Sequence, residues 1–404
     1  MKVSVIGQGY VGLTISIGAA LVGHTVIGFD VNKTLIGDLL KGKTFVPGIK
    51  EKQILELLEN KIFIPTSNPA LLSESEIVVI AVPTPLSIDR NPDLTFIESA
   101  LKIIEENIQS PALIINESTS YPGTLRNIIC SYLEKDTSIN HLYAAAPERV
   151  DPGNKQWTLE NTPRVIGGLT TKATDLAASF YSTFCKSVIK VESPEVAEAS
   201  KLFENTFRQI NIALSNEFAE ISRSLGFSAH LAISAAATKP FGFMPFYPSI
   251  GVGGHCIPVD PTYLSFIADK AGMKARFIEL ANETNLNMHK KVIQWVQTYL
   301  GKSLNGLNIQ LAGISYKPDV PDMRESPAID LINELRRIGA RVKWHDPLIG
   351  SYNNEKSSPI DPRIDIGLVV TPHKVLDLSL WKVHKTFVLD LSSGSTNLGW
   401  PKFL

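Results

Sequence analysis

The sequence predicts an α/β protein in which two Rossmann-like α/β domains are joined by a long central helix in a helical domain. Three observations support this fold class. Short apolar, β-branched segments alternate with helical patterns early in the chain, one helical pattern then continues for about thirty residues, and the alternation resumes afterwards. We therefore place domain boundaries so that the domains cover residues 1–190, 191–302 and 303–404.

The first domain is predicted to be a parallel sheet with helices on both faces, because strand and helix patterns alternate in it. The predicted strands are Val3–Ile6, Val26–Phe29, Ile77–Val82, Leu113–Ile115 and Val165–Ile166, and the predicted helices are Val11–Val22, Ile54–Leu58 and Ile97–Ile108.

The central domain is predicted to contain one helix that begins at Pro194. Ser193 is a capping residue, proline suits the first helical position, and no helix breaker follows until Gly226. Apolar residues occur on more than one side of this helix, so one side needs a partner, and a symmetric homodimer is predicted. These residues are Leu202, Phe203, Phe207, Ile210, Ile212, Leu214 and Phe218.

The stretch Lys239–Pro261 is predicted to be irregular because glycine, proline and aromatic residues are mixed in it. A second, smaller α/β domain follows. Its predicted strands are Ile309–Ile314, Arg341–Trp344, Ile366–Val370 and Phe387–Leu391, and its predicted helix is Ser326–Ile338.

The composition is that of a folded globular protein without a global charge. Of the 404 residues, 44% are hydrophobic, and 39 Lys and Arg residues balance 40 Asp and Glu residues. This argues against disorder and predicts no nucleic-acid or membrane partner. The chain opens on a strand-like segment rather than a signal peptide, and three scattered cysteines do not make a disulfide framework, so a cytoplasmic location is predicted.

A glycine motif lies between the first predicted strand and the first predicted helix. Gly7 permits a tight turn, Gly9 lets the backbone approach a pyrophosphate, and Gly12 lets the helix pack closely on the strand. Asp30 ends the second predicted strand, where an acid binds a ribose 2′-hydroxyl. A 2′-phosphate would meet that carboxylate unfavourably, so NAD is predicted rather than NADP. The alternative is a strand–turn–helix whose glycines serve packing only.

Two further segments follow predicted strands and contain threonine. Thr84 follows the strand ending at Val82, and Thr119 follows the strand at Leu113–Ile115. Ligands bind at the carboxyl ends of strands in open parallel sheets, so both residues are candidates to line the cofactor site. Ordinary loop chemistry is the alternative.

The glycine-rich segment Gly251–Pro261 carries Cys256 and Asp260. Glycines before a cysteine let another molecule approach the sulfur, and the acid could handle a proton or a water, which favours a nucleophilic site. Cys130 and Cys185 stand in apolar helical contexts and are predicted to be structural. No metal is predicted, because His255 and Cys256 are adjacent and no spaced cysteine or histidine pair accompanies them.

Lys201, Asn205 and Arg208 are spaced to share one face of the long helix. An amide and two cations on one face suit a polar substrate that carries phosphate. A solvated face is the alternative, and periodicity alone favours it.

Six motifs, in order along the chain, together resemble the UDP-glucose/GDP-mannose dehydrogenase family. They are GQGYVG, EST, APER, KLFENTFRQIN, GVGGHCIPVDP and SYKPDVPDMRESPA. The resemblance implies an N-terminal NAD-binding Rossmann domain, a central helical dimerisation domain and a C-terminal UDP-sugar-binding domain. It also implies that C6 of a nucleotide sugar is oxidised twice, from alcohol to carboxylate, with two NAD+.

Within the family, the Gly-Gly-His-Cys sequence resembles the branch that acts on UDP-N-acetylhexosamines, and Pro85-Leu86 with residues 91–94 fits the same branch. Residues 238–248 are similar to its UDP-N-acetylglucosamine enzymes and lack the His-Pro-Arg segment of the UDP-N-acetylmannosamine enzymes. The chain departs from the family at Ser249-Ile250, where glycine-proline is usual, and at Ser392-Ser393, where arginine-asparagine is usual.

The matched motifs also imply roles for single residues. Cys256 would be the nucleophile and Lys201 would stabilise the oxyanion. Asp260 and Asn205 would position water, and Glu148 would be a general acid/base in thioester hydrolysis. The residues implied to hold NAD are Gly7, Gly9, Tyr10, Val11, Gly12, Asp30, Thr84, Thr119 and Arg324. Those implied to contact the UDP-sugar are Arg149, Val150, Lys201, Asn205, Arg208, Gly253, Tyr316 and Lys317.

The predicted function is therefore that of an NAD-dependent 6-dehydrogenase of UDP-N-acetylglucosamine. UDP-N-acetylmannosamine, UDP-N-acetylgalactosamine and UDP-glucose are the alternative substrates. A one-step NAD-dependent hydroxyacid dehydrogenase would leave Cys256 and its glycines unexplained. A non-catalytic sensor of NAD or a nucleotide sugar would leave Lys201, Cys256 and Asp260 unexplained.

Overall fold

The computed structural model describes residues 1–135, 139–150, 154, 156–254, 256–394 and 397–404. The chain divides into two compact units. The first consists of Met1–Glu204 with Phe266–Met273, and the second of Asn205–Ser265 with Lys274–Leu404.

The first unit contains one eight-stranded sheet. Its strands are β1 (Lys2–Ile6), β2 (Thr25–Phe29), β3 (Phe63–Thr66), β4 (Ile77–Ile80), β5 (Leu113–Asn116), β6 (Leu142–Ala145), β7 (Arg164–Gly168) and β8 (Val188–Lys190). The order across the sheet is β3-β2-β1-β4-β5-β6-β7-β8. The five predicted strands are all present, whereas β3, β6 and β8 were not predicted.

The sheet is parallel at each pairing except between β6 and β7, which are antiparallel. The predicted parallel sheet is therefore present, with one antiparallel pair that was not predicted. A parallel neighbour needs a crossover, usually a helix, and the described residues between β6 and β7 contain no helix.

Helices cover this sheet on both faces. They are α1 (Tyr10–Leu21), α2 (Lys33–Leu39), α3 (Glu51–Glu59), α4 (Thr95–Asn107), α5 (Ser131–Leu133) and α6 (Thr171–Tyr181). One core contains Val5 with Leu13 of α1, and a separate core contains Ile114 with Leu101 of α4. Burial on both faces explains why the strands have continuous apolar sequences rather than alternating ones.

Helix α7 (Pro194–Leu225) has 32 residues and confirms the predicted long helix. It is about 48 Å long at 1.5 Å per residue. Gly226 follows it with a φ of +79°, a left-handed conformation in which glycine commonly ends a helix.

The second unit contains a smaller sheet. The strands of the second unit are β9 (Asn308–Ala312), β10 (Arg341–His345), β11 (Ser351–Tyr352), β12 (Glu355–Lys356), β13 (Ile366–Val369) and β14 (Val388–Asp390). The helices are α8 (Ala229–Ala236), α9 (Asp260–Lys270), α10 (Arg276–Leu300), α11 (Pro327–Arg337) and α12 (Ser379–Val383), and the last residues of α9 belong to the first unit. Strands β10-β9-β13-β14 form a parallel sheet in that order, and β11 pairs with β12 as a separate antiparallel ribbon.

The second sheet is also packed on both faces, with Met288 and Leu331 in one core and Trp381 in another. The predicted irregular stretch Lys239–Pro261 is confirmed for its described residues up to Val259, but Asp260 and Pro261 are the first residues of α9. Proline is tolerated there because the first helical turn has no intrahelical acceptor for its missing N–H. Across the described ranges, every helix is too short or too polar to span a lipid bilayer.

Candidate active site

The glycine motif forms the turn from β1 into α1, and its three glycines have different roles. A Cβ on Gly7 would lie 2.3 Å from the carbonyl oxygen of Ala81, and one on Gly12 would lie 1.8 Å from the carbonyl oxygen of Gly7. A Cβ on Gly9 would meet no protein atom within 4 Å. Packing therefore explains Gly7 and Gly12, but Gly9 leaves an open place against the backbone at a helix N-terminus, which suits a phosphate.

Asp30 directly follows β2 and is half-buried. Its Oδ2 accepts a hydrogen bond from the Gln8 N–H at 2.7 Å, and its Oδ1 accepts one from the Asn32 N–H at 2.8 Å. Each carboxylate oxygen can accept more than one bond, so Asp30 anchors the glycine turn and retains acceptor capacity for a ribose hydroxyl.

Thr84 and Thr119 are half-buried and follow β4 and β5, at the carboxyl edge of the sheet that also carries the glycine turn. Tyr10 and Val11 lie in the first turn of α1 and are half-buried. Ser118 was not predicted; its hydroxyl accepts a bond from the Val82 N–H and donates one to the Val82 carbonyl, each at 2.9 Å. Ser118 thereby joins the two threonine-bearing loops.

Glu148 follows β6 at the same edge. Its Oε1 accepts bonds from the Arg149 and Val150 N–H groups at 2.7 Å, and its Oε2 accepts one from Nη2 of Arg164 at 3.0 Å. Burial acts to raise the pKa of Glu148, but Arg164, the Val150 N–H and the charge of Lys201 outweigh it, so the pKa lies below its usual range. Glu148 is therefore a carboxylate at neutral pH, which suits a base.

The predicted substrate residue Arg149 is already held within the first unit. Its guanidinium pairs with Glu204 at 2.6 Å and donates to the Pro163 carbonyl at 2.9 Å. Lys201 is half-buried on α7, and its charge acts on Glu148. The partner Glu204 was not predictable from the sequence, because it is 55 residues from Arg149.

In the second unit, Cys256 is exposed at the turn that leads into α9. Its carbonyl accepts bonds from the N–H groups of Val259 at 3.2 Å and Asp260 at 2.8 Å. The Asp260 carboxylate is buried, and its Oδ2 accepts a bond from Nδ2 of Asn205 at 2.5 Å. The structure thus brings Asn205 and Asp260 together, and Asn205 does not belong to a solvated face. Arg208 is exposed on α7.

The glycines before Cys256 have a packing role that was not predicted. A Cβ on Gly253 would lie 2.7 Å from the Glu325 carbonyl, and one on Gly254, whose φ is +88°, would lie 2.9 Å from the ring of Tyr316. Packing against Tyr316 and its neighbours therefore already requires glycine at both positions, and approach of another molecule to the sulfur stays a prediction.

The loop after β9 carries Tyr316 and Lys317, both half-buried. The Tyr316 N–H donates to the Asp322 carbonyl at 2.9 Å, and the guanidinium of Arg324 forks onto the Asp322 carboxylate, with Nη2 at 2.6 Å. The Arg324 carbonyl also accepts a bond from the Gly254 N–H at 3.3 Å. Arg324 therefore joins the Tyr316 loop to the nucleophile loop through its backbone, while its side chain stays exposed.

Both departures from the family pattern have local partners. The Ser249 N–H donates to Oδ1 of Asn216 at 2.8 Å, and its hydroxyl donates to the Gly251 carbonyl at 2.8 Å. The Lys402 ammonium donates to the Ser392 hydroxyl at 2.7 Å and pairs with Asp390 at 3.1 Å. A lysine from the C-terminal segment thus supplies a cation near the end of β14.

Of the other two cysteines, Cys185 is buried and Cys130 is half-buried. Burial is the main cause that raises the pKa of Cys130 and of Cys185 to about 11, so both thiols remain protonated at neutral pH. Cys185 lies beyond the end of α6 and not within a helix as predicted. His255 lies outside the described residues, and among the described ones no group of three His, Cys, Asp or Glu side chains could hold a metal ion.

The first unit has the strand order and glycine turn of a dinucleotide-binding oxidoreductase, with Asp30 where an NAD ribose would be bound. The chain belongs to the UDP-glucose/GDP-mannose dehydrogenase family. The family's NAD-binding domain matches residues 1–185, its central domain residues 195–287 and its UDP-binding domain residues 310–391. The protein is accordingly an NAD-dependent oxidoreductase of the UDP-sugar dehydrogenase class, and the two other functional classes lose their support.

Relatives with different sugar specificities are about equally similar to this chain. It is 34% identical over 370 residues to a UDP-N-acetyl-D-glucosamine 6-dehydrogenase of Pseudomonas aeruginosa, which covers 90% of this chain and 86% of the relative. It is 33% identical over 397 residues to a UDP-N-acetyl-D-mannosamine dehydrogenase of Pyrococcus horikoshii, with coverages of 95% and 92%. A UDP-D-ManNAc dehydrogenase structure from Pyrococcus horikoshii matches with a TM-score of 0.88 and 29% identity, covering 100% of this chain and 97% of that one.

Proposed function

We propose that this protein oxidises C6 of a UDP-N-acetylhexosamine to the uronic acid, with UDP-N-acetylglucosamine as the first candidate. The observation that carries the proposal is the exposed thiol of Cys256, whose own backbone turn is bonded to Asp260. Asn205 fixes the Asp260 carboxylate from α7. A nucleophile with a fixed carboxylate four residues away suits covalent capture of an aldehyde followed by hydrolysis.

The glycine turn, Asp30, Tyr10 and Val11 would hold NAD, together with Thr84, Thr119 and Arg324. The open backbone at Gly9 and the acceptor capacity of Asp30 fit its phosphate and ribose groups. When bound, NAD+ supplies a hydride acceptor for the C6 alcohol and, as a second equivalent, for the adduct formed on Cys256.

The chain's own residues perform the remaining steps. The Cys256 thiolate adds to the aldehyde carbon and forms a C–S bond, and Lys201 supplies positive charge to the oxygen of this adduct. Oxidation of the adduct leaves a thioester on Cys256. Water then adds to its carbonyl carbon, the C–S bond breaks, and the thiolate and the sugar carboxylate are released.

Two carboxylates would serve the hydrolytic step. Asp260, held by Asn205, would orient the water, and Glu148 would accept its proton. Overall, one alcohol, two NAD+ and one water give one carboxylate, two NADH and three protons.

The UDP-sugar would be held by cationic and polar groups that suit a diphosphate. Arg149, Val150, Arg208, Gly253, Tyr316 and Lys317 are the proposed contacts, with Lys201 and Asn205. Arg208 and Lys317 are the donors that suit the phosphates, because cations bind phosphate through charge-assisted hydrogen bonds.

The exposed side of α7 supports a homodimer. Phe207, Leu214, Ile221 and Leu225 recur along one stripe and are 43%, 60%, 47% and 71% exposed. Such a contiguous apolar stripe is characteristic of an interface rather than a solvated helix face. We expect Leu214→Arg to yield monomers in sedimentation velocity, whereas Val383→Arg, at an exposed position of α12, should leave the dimer intact; a wild-type monomer at micromolar concentration would contradict this assembly.

A thiol nucleophile must stay reduced, which supports the cytoplasmic location we propose. UDP-N-acetylmannosamine is the second candidate substrate, because relatives with that named specificity are as similar as those named for UDP-N-acetylglucosamine.

A spectrophotometric screen separates these candidates. UDP-N-acetylglucosamine, -mannosamine, -galactosamine and UDP-glucose are each incubated with NAD+, and the NADH formed per sugar acid is measured. We expect two NADH per sugar acid, with UDP-N-acetylglucosamine giving the highest kcat/KM. One NADH per sugar would overturn the covalent mechanism, whereas two NADH with only UDP-N-acetylmannosamine would overturn the substrate assignment alone.

A further inference from the structure

Arg164, the first residue of β7, is buried between two carboxylates of the first unit. Its Nη1 lies 2.7 Å from Oε2 of Glu117, and its Nη2 lies 3.0 Å from Oε2 of Glu148. The side chains of Arg164, Glu117 and Glu148 are 3%, 0% and 12% exposed. Arg164 thus forks between the end of β5, which leads to Thr119, and the end of β6, which carries Glu148.

The two carboxylates have different second partners. The remaining oxygen of Glu117 accepts a hydrogen bond from the Tyr181 hydroxyl, whereas the remaining oxygen of Glu148 accepts bonds from two backbone N–H groups. A hydroxyl can donate or accept, so Glu117 can hold a proton without losing its partner, but an N–H group can only donate, so Glu148 cannot.

The protonation of the two carboxylates is expected to differ in the same way, because the single buried cation Arg164 faces both of them. Burial is the main cause that raises the pKa of Glu117 to about 7, whereas the pKa of Glu148 lies below its usual range. The charged and titratable groups that interact with Glu148 are Arg164 of β7, Lys201 of α7, Glu117 after β5 and the Cys185 thiol, which stays protonated at neutral pH. The Arg149 guanidinium is paired with Glu204, so it adds little to this balance.

The same short segment also fixes Arg149. The carbonyl of Pro163, directly before Arg164, accepts a bond from Nη1 of Arg149 at 2.9 Å. Pro163 and Arg164 therefore each hold one side chain of the Glu148-Arg149 pair.

We propose that Arg164 is a positioning residue that, with Glu117 as the proton-holding partner, keeps Glu148 anionic and oriented as the base of thioester hydrolysis. This inference rests on the role proposed above for Glu148. Glu148 accepts the reacting proton from water, and Arg164 acts only through Glu148.

Two variants should move the acid limb of the kcat–pH profile in opposite directions. Arg164→Lys keeps the charge but cannot reach both carboxylates as a fork, so we expect the limb to move to higher pH by about one unit and kcat below the limb to fall about tenfold. Glu117→Gln leaves Arg164 to Glu148 alone, so the limb should move to lower pH. KM for NAD+ should stay within about twofold of wild type in both, since neither residue is a proposed NAD contact.

The matched control is Arg126→Lys, which weakens a forked Arg126–Glu195 pair in the same unit without touching Glu148. Its acid limb should coincide with that of the wild type. The inference would be overturned if the acid limb did not move in Arg164→Lys and Glu117→Gln, or moved in the same direction in both. The proposed function would still stand in that case if the enzyme formed two NADH per sugar acid.

A second measurement does not depend on turnover or on the identity of the substrate. Because the folded-state pKa of Glu148 is lowered from about 4.5, its ionised form stabilises the fold above that pH and this stabilisation is lost as the pH falls further. Glu148→Gln should therefore lower Tm more at pH 7 than at pH 4, and Arg164→Lys should reduce that difference. An equal loss of Tm at both pH values would show that Glu148 is not held as an anion and would overturn the inference.

Discussion

The two sheets begin with the same turn. Gly7 after β1 and Gly313 after β9 have φ angles of +92° and +81°, and each donates its N–H at 2.8 Å to the carbonyl that ends the neighbouring strand. The next N–H then donates at 2.7 Å to an aspartate that follows that strand, which is Asp30 in the first unit and Asp346 in the second.

The two aspartates differ in what else they bind. Asp30 is half-buried and has one further backbone donor, from Asn32. Asp346 is buried and receives six hydrogen bonds; besides Ile314, the donors are the N–H and hydroxyl of Ser315, Nε2 of His373, and the N–H groups of Leu348 and Ile349. In both sheets, an aspartate directly after the neighbouring strand therefore accepts a hydrogen bond from the glycine turn. Only Asp30 has acceptor capacity left for a ribose.

His373 links this saturated aspartate to the proposed substrate loop. Its Nδ1 accepts a bond from the Asp319 N–H at 2.8 Å, so its Nε2 carries the proton that is donated to Asp346. Thr371, two residues earlier, donates its hydroxyl to the Ser315 carbonyl at 2.6 Å. At the edge of the second sheet, the polar groups are thus hydrogen-bonded within the protein and hold the Tyr316 loop in place. At the edge of the first sheet, Asp30 keeps acceptor capacity for a ligand.

The largest expected effect on activity comes from replacing the proposed nucleophile Cys256, which belongs to the second unit. Cys256→Ser retains the shape of the side chain but replaces a thiolate with a poor nucleophile and leaving group, so kcat should fall by about 10³-fold or more. NAD+ binding, measured by calorimetry, should stay within about twofold, because Cys256 is not a proposed NAD contact. A Cys256→Ser enzyme with near-normal two-step oxidation would eliminate the covalent mechanism.

The second prediction tests the difference between the two aspartates directly. Asp346→Asn replaces one acceptor oxygen with an NH2 group that faces donors, so unfolding free energy at pH 7 should fall by about 2–4 kcal/mol, against less than about 1 kcal/mol for Asp30→Asn. Equal losses in chemical denaturation would mean that both acids are only structural.

The pH dependence sharpens the same test. Burial acts to raise the pKa of Asp346, but His373 and the Ile314 N–H outweigh it, so the pKa lies well below its usual range. The stabilisation is therefore present above the unfolded pKa of about 3.8 and is lost as the pH falls toward the folded value. The gap between wild type and Asp346→Asn should accordingly shrink below pH 4.

What the sequence could predict is what is local along the chain. The glycine turn, Asp30 and Cys256 lie in short motifs, and the 32-residue α7 has an uninterrupted helical pattern. The roles of Arg164 and His373 were not predictable, because Arg164 is 47 residues from Glu117 and His373 is 27 residues from Asp346. No periodicity indicates which buried charges meet when distant strands become neighbours.

The loop that carries Cys256 is a second example of a contact that the sequence could not predict. Its glycines are evident in the sequence, but the sequence does not show that Tyr316 fills the space beside Gly254. Strands β3, β6 and β8 were not predicted because none has a continuous β-branched segment like that of β4: β3 contains Pro65, β6 ends in two alanines, and β8 has only three residues.

The third prediction separates glycines used by the protein from the glycine left for a ligand. Gly12→Ala would place a Cβ 1.8 Å from the Gly7 carbonyl oxygen and should lower Tm, while Gly9→Ala would meet no protein atom and should leave Tm nearly unchanged. We expect Gly9→Ala instead to raise the Kd for NAD+ by about tenfold or more, because a methyl group would occupy the place proposed for the pyrophosphate. Unchanged NAD+ affinity in Gly9→Ala would show that this opening is not the phosphate site.

The smallest effect is expected at Asp30, and it decides whether this carboxylate selects the cofactor or only anchors the turn. Asp30→Asn keeps an acceptor for the Gln8 N–H and removes the negative charge that a 2′-phosphate would meet, so kcat/KM with NADP+ should rise relative to NAD+ by about tenfold. Asp30→Ala loses the anchor as well, so both cofactors should bind more weakly while their ratio still narrows. If Asp30→Asn keeps the wild-type NAD+/NADP+ ratio and only Asp30→Ala loses activity, then Asp30 serves the turn as Asp346 does, and the difference between the two sheet edges lies in Gly9 alone.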